Sequence, residues 1–324
     1  MDRRYLIALL GRATLSWPIE GPAQQPRRTY HLGALSRGPR DLALFAALFD
    51  ELRRQGFVEN QNLTINPHGF GLRVEQFQEV AMELVKAPVD VILATNGNPA
   101  IRAAQQATAT IPILGVTDDM VGSGLVSSMA HPGGNTTGVS LLGTELDGKR
   151  QELLIELIPG VRRIAALADS NQTGSRHLQA LQDAARAHDV ELSIQQIAKP
   201  EEISGAIDAA KAAGAAALSM LASPLLFLQS HVIIEHTAAL RLPAMYQWPE
   251  TAEERGLAGH GPRSVQLYQD VVSRQLIKLL QGAKTRRSAG RAADQIRAGD
   301  QPEDRQGARP DYAANPVRAG RRGH

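Results

Sequence analysis

The sequence predicts an α/β protein of two lobes, each a doubly wound parallel sheet, with a ligand cleft between them. Short apolar runs of strand length, such as residues 30–35 and 90–95, alternate with amphipathic helical segments. This alternation is typical of parallel sheets joined by right-handed crossovers. It begins afresh after Leu142, and 324 residues leave room for two domains of ~100–200 residues each.

The first set of elements runs from residue 30 to residue 142. Each predicted strand is a short apolar run that ends in turn residues. Helices are predicted by apolar stripes at helical spacing, and one short helical segment is expected at residues 124–129, before a Pro-Gly-Gly-Asn turn. The predicted strands are 30–35, 62–67, 90–95, 111–116 and 136–142, and the helices are 40–55, 74–86 and an Ala-rich helix after Pro99.

The second set repeats the pattern. Its predicted strands are 163–168, 191–198, 216–221 and 243–248, and its helices are 144–157, 175–188, 200–213 and 226–240. A last helix is predicted at 265–280. We therefore expect lobe 1 to span residues 29–143, lobe 2 to span 144–252, and residues 253–284 to return to lobe 1.

Composition excludes several classes of function. The chain has no Cys, which rules out thiol catalysis, disulfides and Cys-ligated metals. Aromatic residues make up 4%, too few for nucleic-acid stacking platforms. The formal charge is +2, but residues 285–324 contribute +4 and residues 1–28 contribute +3, so the body carries −5. The basic isoelectric point is therefore no evidence for a nucleic-acid partner.

The sequence does not match the common motifs of enzymes or metal sites. Gly122-Ser123-Gly124 lacks the third glycine of a dinucleotide fingerprint, and there is neither a G-x-S-x-G elbow nor a P-loop. His231 and His236 are five residues apart on a helix and so face different directions. No run reaches the ~20 apolar residues of a membrane span. We expect no catalytic residues, no cofactor and no metal.

Polar or aromatic residues follow almost every predicted strand at its carboxyl end, where open α/β sheets bind ligands. Each residue alone is more commonly a helix N-cap, a turn residue or a core residue. Asp118 could hold a ligand ammonium or cap the segment after it, and Tyr246 and Trp248 could stack on a ligand or pack in the core. The candidate ligand-binding residues are Ser36, Asn96, Gly97, Thr117, Asp118, Asp169, Ser223, Tyr246 and Trp248.

Residues 118–140 have the sequence DDMVGSGLVSSMAHPGGNTTGVS, which is similar to a known family signature. The run resembles the signature D-P-V-x-x-G-L-V-x-S-L-x-x-P-G-G-N-x-T-G-V of the ABC-transporter substrate-binding proteins that include the tryptophan-binding TrpX type. Met120 stands where that pattern has Pro, so a looser turn is expected after Asp119. The resemblance covers residues 1–284.

The resemblance implies a type I periplasmic-binding-protein-like fold with a small organic or amino-acid-like solute between the lobes. It also implies ABC permease subunits as partners of a periplasmic receptor. The alternative is a cytoplasmic small-molecule sensor or α/β enzyme of similar architecture.

Residues 1–23 are interpreted as an export signal. Arg3-Arg4 supplies a basic start, residues 5–10 an apolar run, and Gly21-Pro22-Ala23 a small-residue cleavage site. Arg12 interrupts the apolar run and weakens the signal. The similar family begins in the same way, so we expect a periplasmic protein with no membrane span in its mature chain.

The composition changes abruptly after Lys284. Residues 285–324 contain no Leu, Phe, Met, Trp or Lys, so this tail is expected to be disordered. The similar family has an apolar segment here instead. Codons can be chosen for the residues from Ala293 onward so that deleting one base makes them encode P-T-K-F-E-L-V-I-N-L-K-T-A. This shifted translation matches the apolar segment of the family. We therefore predict a frameshift close to Lys284 and the loss of a native apolar element.

Overall fold

Two parallel sheets form the core of the protein, as predicted, and each of them has five strands. The computed structural model describes residues 28–95, 97–254 and 256–285. The strands of the first sheet are β1 (Tyr30–Leu35), β2 (Leu63–Ile65), β3 (Val91–Ala94), β4 (Ile113–Thr117) and β5 (Thr136–Ser140). Their order in the sheet is β2-β1-β3-β4-β5.

The second sheet extends further along the chain than the sequence suggests. Its strands are β6 (Arg163–Asp169), β7 (Glu191–Ile197), β8 (Ala217–Met220), β9 (Ala244–Tyr246) and β10 (Ala258–Gly259). Their order in the sheet is β10-β9-β8-β6-β7, and the short strand β10 pairs with β9 in parallel. The second sheet therefore continues beyond residue 252, and the chain leaves it only after Gly259.

Helices cover both faces of each sheet. Those of lobe 1 are α1 (Ala43–Arg54), α2 (Phe77–Lys86) and α3 (Asn98–Ala107). Those of lobe 2 are α4 (Gly143–Leu157), α5 (Ser175–Ala187), α6 (Ile203–Ala212), α7 (Pro224–Leu228), α8 (Ser230–Ala239) and α9 (Pro249–Glu253). The single helix predicted at 226–240 is thus two helices, because Gln229 leaves helical geometry with φ −103° and ψ 10°.

The last helical segment returns to lobe 1. It consists of α10 (Ser264–Leu267), a π-helical turn (Tyr268–Val272) and α11 (Ser273–Leu280). Leu276 and Leu279 are buried in the same core as Phe45 and Leu48 of α1. Two distant parts of the chain therefore build lobe 1.

Residues 124–129 do not form the predicted helix. They make a series of turns and bends. Gly124 has φ +66°, which a continuing right-handed helix does not allow. Leu125 N donates to Met120 O across five residues and Gly124 N donates to Val121 O across three, so no helical ladder forms.

Met120 fixes the segment that was expected to be loose. Gly115 of β4 and Gly138 of β5 are register partners, and the fully buried Met120 packs into the notch that the two glycines leave. Next to it, Gly122 N donates to Asp119 Oδ1 at 2.7 Å. The side chain that stands in place of the family's Pro anchors the turn after Asp119 by packing.

The ends of the chain are described only in part. The predicted export signal, residues 1–23, and residues 286–324 of the predicted tail lie outside the described residues. Thr285, the first residue of that tail, is buried and donates to the carbonyl of Gly134 at 2.9 Å. Within the described ranges, no helix has the length and apolar character needed to cross a membrane.

Adding a methyl group in the glycine notch should destabilise the fold. A Cβ on Gly138 would lie 2.3 Å from Gly115 O and 2.8 Å from Met120 Cε. We expect Gly138→Ala to lower the free energy of unfolding by about 1–3 kcal/mol, as overpacked cores do. Urea denaturation measures this change.

The control is Gly205→Ala on the exposed face of α6, where an added Cβ meets nothing within 4 Å. That change should stabilise the protein by about 0.4–1 kcal/mol. Equal stability of the two variants would contradict the close packing of Gly138 against Gly115 and Met120.

Candidate ligand-binding site

A cavity of about 50 Å³ lies between the lobes. The carboxyl ends of strands β4, β8 and β9 point towards it, and the returning helical segment closes one side. Its walls are mainly apolar and carry a few polar groups. The lining residues are Leu44, Gly97, Val116, Thr117, Asp118, Leu141, Gln172, Ser223, Pro224, Phe227, Gln247, Trp248, Ser264 and Tyr268.

The structure brings five of the predicted ligand-binding residues to this cavity. They are Gly97, Thr117 and Asp118 from lobe 1, and Ser223 and Trp248 from lobe 2. Asn96 lies outside the described residues. The remaining three, Ser36, Asp169 and Tyr246, are buried but do not line the cavity.

Each of these three buried residues supports a nearby loop or core. The Ser36 hydroxyl accepts from Gly38 N at 3.1 Å in the turn after β1. Asp169 accepts from the Ser223 hydroxyl at 2.7 Å and so holds a cavity residue in place. Tyr246 packs in the core of lobe 2, with its hydroxyl 3.3 Å from Thr237 Oγ1.

Asp118 places a carboxylate at the cavity wall. Its backbone is fixed, because its carbonyl accepts from Gly143 N at 3.1 Å and from Ser140 Oγ at 3.1 Å. Its side chain, in contrast, has no hydrogen-bond partner among the described residues. Such a group is free to bind a donor that enters the cavity.

Burial between the lobes raises the pKa of the Asp118 carboxyl group to about 6, and the negative charge of Asp147 adds to this shift. His177 and Arg150 act in the opposite direction. A positive ligand group beside Asp118 would relieve this cost.

A buried ionic cluster lies behind the lobe 2 wall. Arg150, 1% exposed, donates to Asp147 Oδ1 at 2.6 Å and to the carbonyl of His260 at 2.6 Å. His177 Nδ1 lies 2.9 Å from the other Asp147 oxygen. Burial alone would lower the pKa of His177, but its bond to Asp147 and the negative charges of Asp147 and Asp118 raise it above its ordinary value.

The lobe 2 wall itself is built around Ser223 and Trp248. Ser223 caps α7 by accepting from Leu225 N at 3.0 Å. Trp248 packs edge-to-face on Phe227 with ring centres 6.1 Å apart. The Trp248 Nε1 and the Gln172 Nε2 are both buried donors with no acceptor among the described residues. Buried donors of this kind are normally satisfied, so these two N–H groups are exceptions among the described residues.

Sequence reasoning missed several lining residues. Gln172 follows β6 by only three residues, so the strand-end pattern could have included it. Ser264 and Tyr268 belong to the returning helical segment, and no strand-end signal marks them. Tyr268 is buried, which raises the pKa of its phenol, and it hydrogen-bonds to Thr95.

A sequence model of the family described as "ABC transporter substrate binding protein" matches residues 40–296. The chain belongs to this family. Its members are solute binders rather than enzymes. The family membership predicted from residues 118–140 is confirmed. A "Tyrosine-binding protein" of Clostridioides difficile (strain R20291) is 30% identical over 159 residues, 48% of this chain. The match spans 45% of that relative, less than half of its length.

Solved structures share the fold. The ABC domain from Streptococcus pneumonia in complex with L-Trp has a TM-score of 0.69 at 20% identity, covering 81% of this chain and 88% of that one. A conserved domain protein from Vibrio cholerae has a TM-score of 0.70 at 22% identity, with 80% and 86% covered. A ligand-free, open substrate binding protein from Clostridium difficile scores 0.55 at 22% identity, with 80% and 86% covered. The predicted type I periplasmic-binding fold is confirmed.

Removing the charge of Asp118 should stabilise the protein at neutral pH. Its pKa is about 6 against an ordinary 3.8, so between these values the folded protein binds more protons than the unfolded chain. The contribution of Asp118 to the free energy of unfolding therefore falls as pH rises through this window. We expect the free energy of unfolding of Asp118→Asn to exceed that of the wild type by about 1–3 kcal/mol at pH 7.5 and to differ little from it below pH 4.

Urea denaturation at a series of pH values measures this difference. The control is Asp50→Asn, which removes an exposed carboxylate paired with Arg53. A gain for Asp118→Asn that does not change with pH would contradict the burial of its charge.

Breaking the buried ionic cluster should be costly. Arg150→Met leaves the 1%-exposed Asp147 carboxylate without its guanidinium partner. We expect a loss of about 3–5 kcal/mol in the free energy of unfolding, measured by urea denaturation. Arg186→Met removes a mostly exposed ion pair with Asp183 and should change stability by less than ~0.5 kcal/mol.

The double variant Arg150→Met with Asp147→Asn tests the cause. It should recover part of the loss, because the unpaired buried charge is gone. No recovery would mean that packing of the Arg150 side chain, rather than its charge, accounts for the loss.

Proposed function

We propose that this protein captures a small amino-acid-like solute in the cavity between its lobes and delivers it to the permease subunits of an ABC importer. The observation that carries the proposal is the Asp118 carboxylate, which faces a largely apolar cavity without a hydrogen-bond partner among the described residues. Membership of the substrate-binding family supports the transport role.

The polar groups of the cavity suit a zwitterion. A ligand ammonium beside Asp118 would form a charge-assisted hydrogen bond and neutralise a partly buried charge. Trp248 Nε1 and Gln172 Nε2, both without acceptors, would donate to a ligand carboxylate. The apolar walls would surround the body of the ligand, with Gly97, Thr117 and Ser223 beside it.

Similar proteins support this ligand class. One solved structure of the same fold holds L-Trp, and the similar protein from C. difficile is named for tyrosine binding. The fold also occurs in a transcriptional repressor of the LacI family from Corynebacterium glutamicum, with a TM-score of 0.55 at 14% identity. The fold thus leaves a cytoplasmic sensor as the alternative, and the family match favours the receptor.

Binding requires the lobes to move. One buried water needs roughly 10–15 Å³ of cavity volume. The cavity of about 50 Å³ therefore has room for a few waters but not for an amino acid. The lobes would separate to admit the solute and close around it, as in other periplasmic receptors.

The proposed periplasmic location rests on the predicted signal of residues 1–23. N-terminal sequencing of the exported protein tests it, and a mature chain that keeps Met1 would refute it. The frameshift proposed near Lys284 is tested by the nucleotide sequence of the gene. A shifted frame that does not encode the apolar segment would show that the tail is genuine.

Loss of the Asp118 carboxylate should weaken ligand binding. We expect Asp118→Ala to reduce the affinity for L-tryptophan or L-tyrosine by about 1.5–3 kcal/mol, the value of a charge-assisted hydrogen bond. Wild-type affinity should also fall as pH drops below about 6, where Asp118 becomes protonated. Isothermal titration calorimetry measures both effects.

Asp119→Asn is the matched control. It removes a neighbouring charge outside the cavity lining and keeps the Oδ1 acceptor for Gly122 N. Equal affinities of Asp118→Ala and the wild type would remove Asp118 from the site. Native mass spectrometry of the purified protein checks the ligand class, since a co-purified solute without an amine would contradict it.

A further inference from the structure

We propose that Gln172 couples ligand binding to lobe closure. Its side chain, carried by lobe 2, docks on Gly97 and Asn98 of lobe 1. The amide oxygen accepts from Asn98 N, whereas the amide nitrogen, which lies against Gly97, has no acceptor among the described residues and is left for the solute. We call this contact the closure latch and define it as Gln172 against Gly97 and Asn98. The latch deepens the proposed function, since its ligand-binding half rests on that function.

The first half of the argument is the fit between Gln172 and Gly97. A Cβ on Gly97 would lie 1.8 Å from Gln172 Nε2 and 2.7 Å from Gln172 Cδ. Gly97 also has φ +107°, a conformation that L side chains rarely adopt. Only glycine allows the Gln172 amide to lie against the lobe 1 backbone at this point.

The Gln172 carbonyl oxygen ties the latch to the lobe 1 wall of the cavity. Gln172 Oε1 accepts from Asn98 N at 3.3 Å, at the start of α3. Asn98 Oδ1 in turn accepts from the Thr117 hydroxyl at 2.8 Å. Thr117 lines the cavity. A short chain of hydrogen bonds thus joins the latch to the end of strand β4.

The amide nitrogen supplies the coupling. Gln172 lines the cavity, and its Nε2 is buried with no acceptor among the described residues. Closing the lobes on an empty cavity therefore buries an unsatisfied donor, which is unfavourable. A solute with a carboxylate or carbonyl oxygen at this point removes that cost. The closed state is therefore more populated with a suitable ligand inside than without one.

The absence of Cys from the sequence makes closure easy to measure. Met82 in lobe 1 and Val232 in lobe 2 are 50% and 41% exposed. The variant Met82→Cys with Val232→Cys can carry a dye pair, and single-molecule energy transfer in the full chain then reports the distance between lobes. Thermal denaturation of each further variant confirms that it is folded.

The ligand-free arm tests the latch alone. Gly97→Ala should shift the population towards the open state, because the methyl group clashes with Gln172. Adding Gln172→Ala removes the clashing side chain and should restore part of the closed population. Asn171→Ala is the matched control, since its amide donates to Ala198 O within lobe 2 at 3.2 Å and should leave closure unchanged. A closed population in Gly97→Ala equal to that of the wild type would overturn the latch. So would a double variant that recovers none of the lost closed population.

The ligand arm tests the coupling. The probe is L-tryptophan or L-tyrosine, whichever saturates the wild type. Gln172→Ala should raise its Kd by roughly tenfold, the effect of one lost hydrogen bond, and should reduce the ligand-induced shift towards closure. A wild-type Kd in Gln172→Ala would overturn the coupling. If neither probe binds the wild type, the proposed ligand class is wrong, and the ligand-free arm still decides the latch.

Discussion

The buried guanidinium of Arg150 imposes the constraint on which the arrangement of lobe 2 depends. The Arg150 side chain is only 1% exposed, so its positive charge requires counter-charges and hydrogen-bond acceptors inside the protein. Arg150 finds them on three separate elements: Asp147 on its own helix, the His260 carbonyl after β10, and the Gln247 carbonyl after β9 at 3.5 Å. One side chain therefore sets the positions of the loops that carry Gln247 and Trp248 to the cavity.

The same cluster shapes the electrostatics of the site. Asp147, held by Arg150, also binds His177, and both lie near enough to Asp118 to influence its charge. The closed cleft thus brings a carboxylate from lobe 1 against a mixed cluster from lobe 2. Burial in this cleft, together with the charge of Asp147, makes the Asp118 side chain costly to keep ionised.

Much of the fold could be predicted because burial leaves a direct mark on the sequence. The bounds predicted for β1 are those observed, and the helix predicted at 74–86 is observed at Phe77–Lys86, with Phe77 and Leu84 buried. The segment at 124–129 failed because its shape depends on Met120, which packs between two glycines of different strands. Local periodicity contains no information about such a contact.

The site was partly predictable for a similar reason. Strand ends are visible in the sequence, so Thr117, Asp118, Ser223 and Trp248 could be found. The direction of each side chain is not visible, and Asp169, at an equivalent place, turns inward to bind Ser223 instead. Tyr268 and Ser264 reach the cavity only because the chain returns to lobe 1, which is a property of the tertiary fold.

This return has a consequence for how the chain folds. The sheet of lobe 2 and the helix α4 come from one uninterrupted stretch of the chain, from α4 to β10. The core of lobe 1 instead joins Phe45 to Leu276 and Leu279, more than two hundred residues away. During synthesis the core of lobe 1 stays incomplete until Leu280 has been made, whereas the sheet of lobe 2 has all its strands once Gly259 has been made. The lobe that begins first in the sequence is thus the last whose core can be completed.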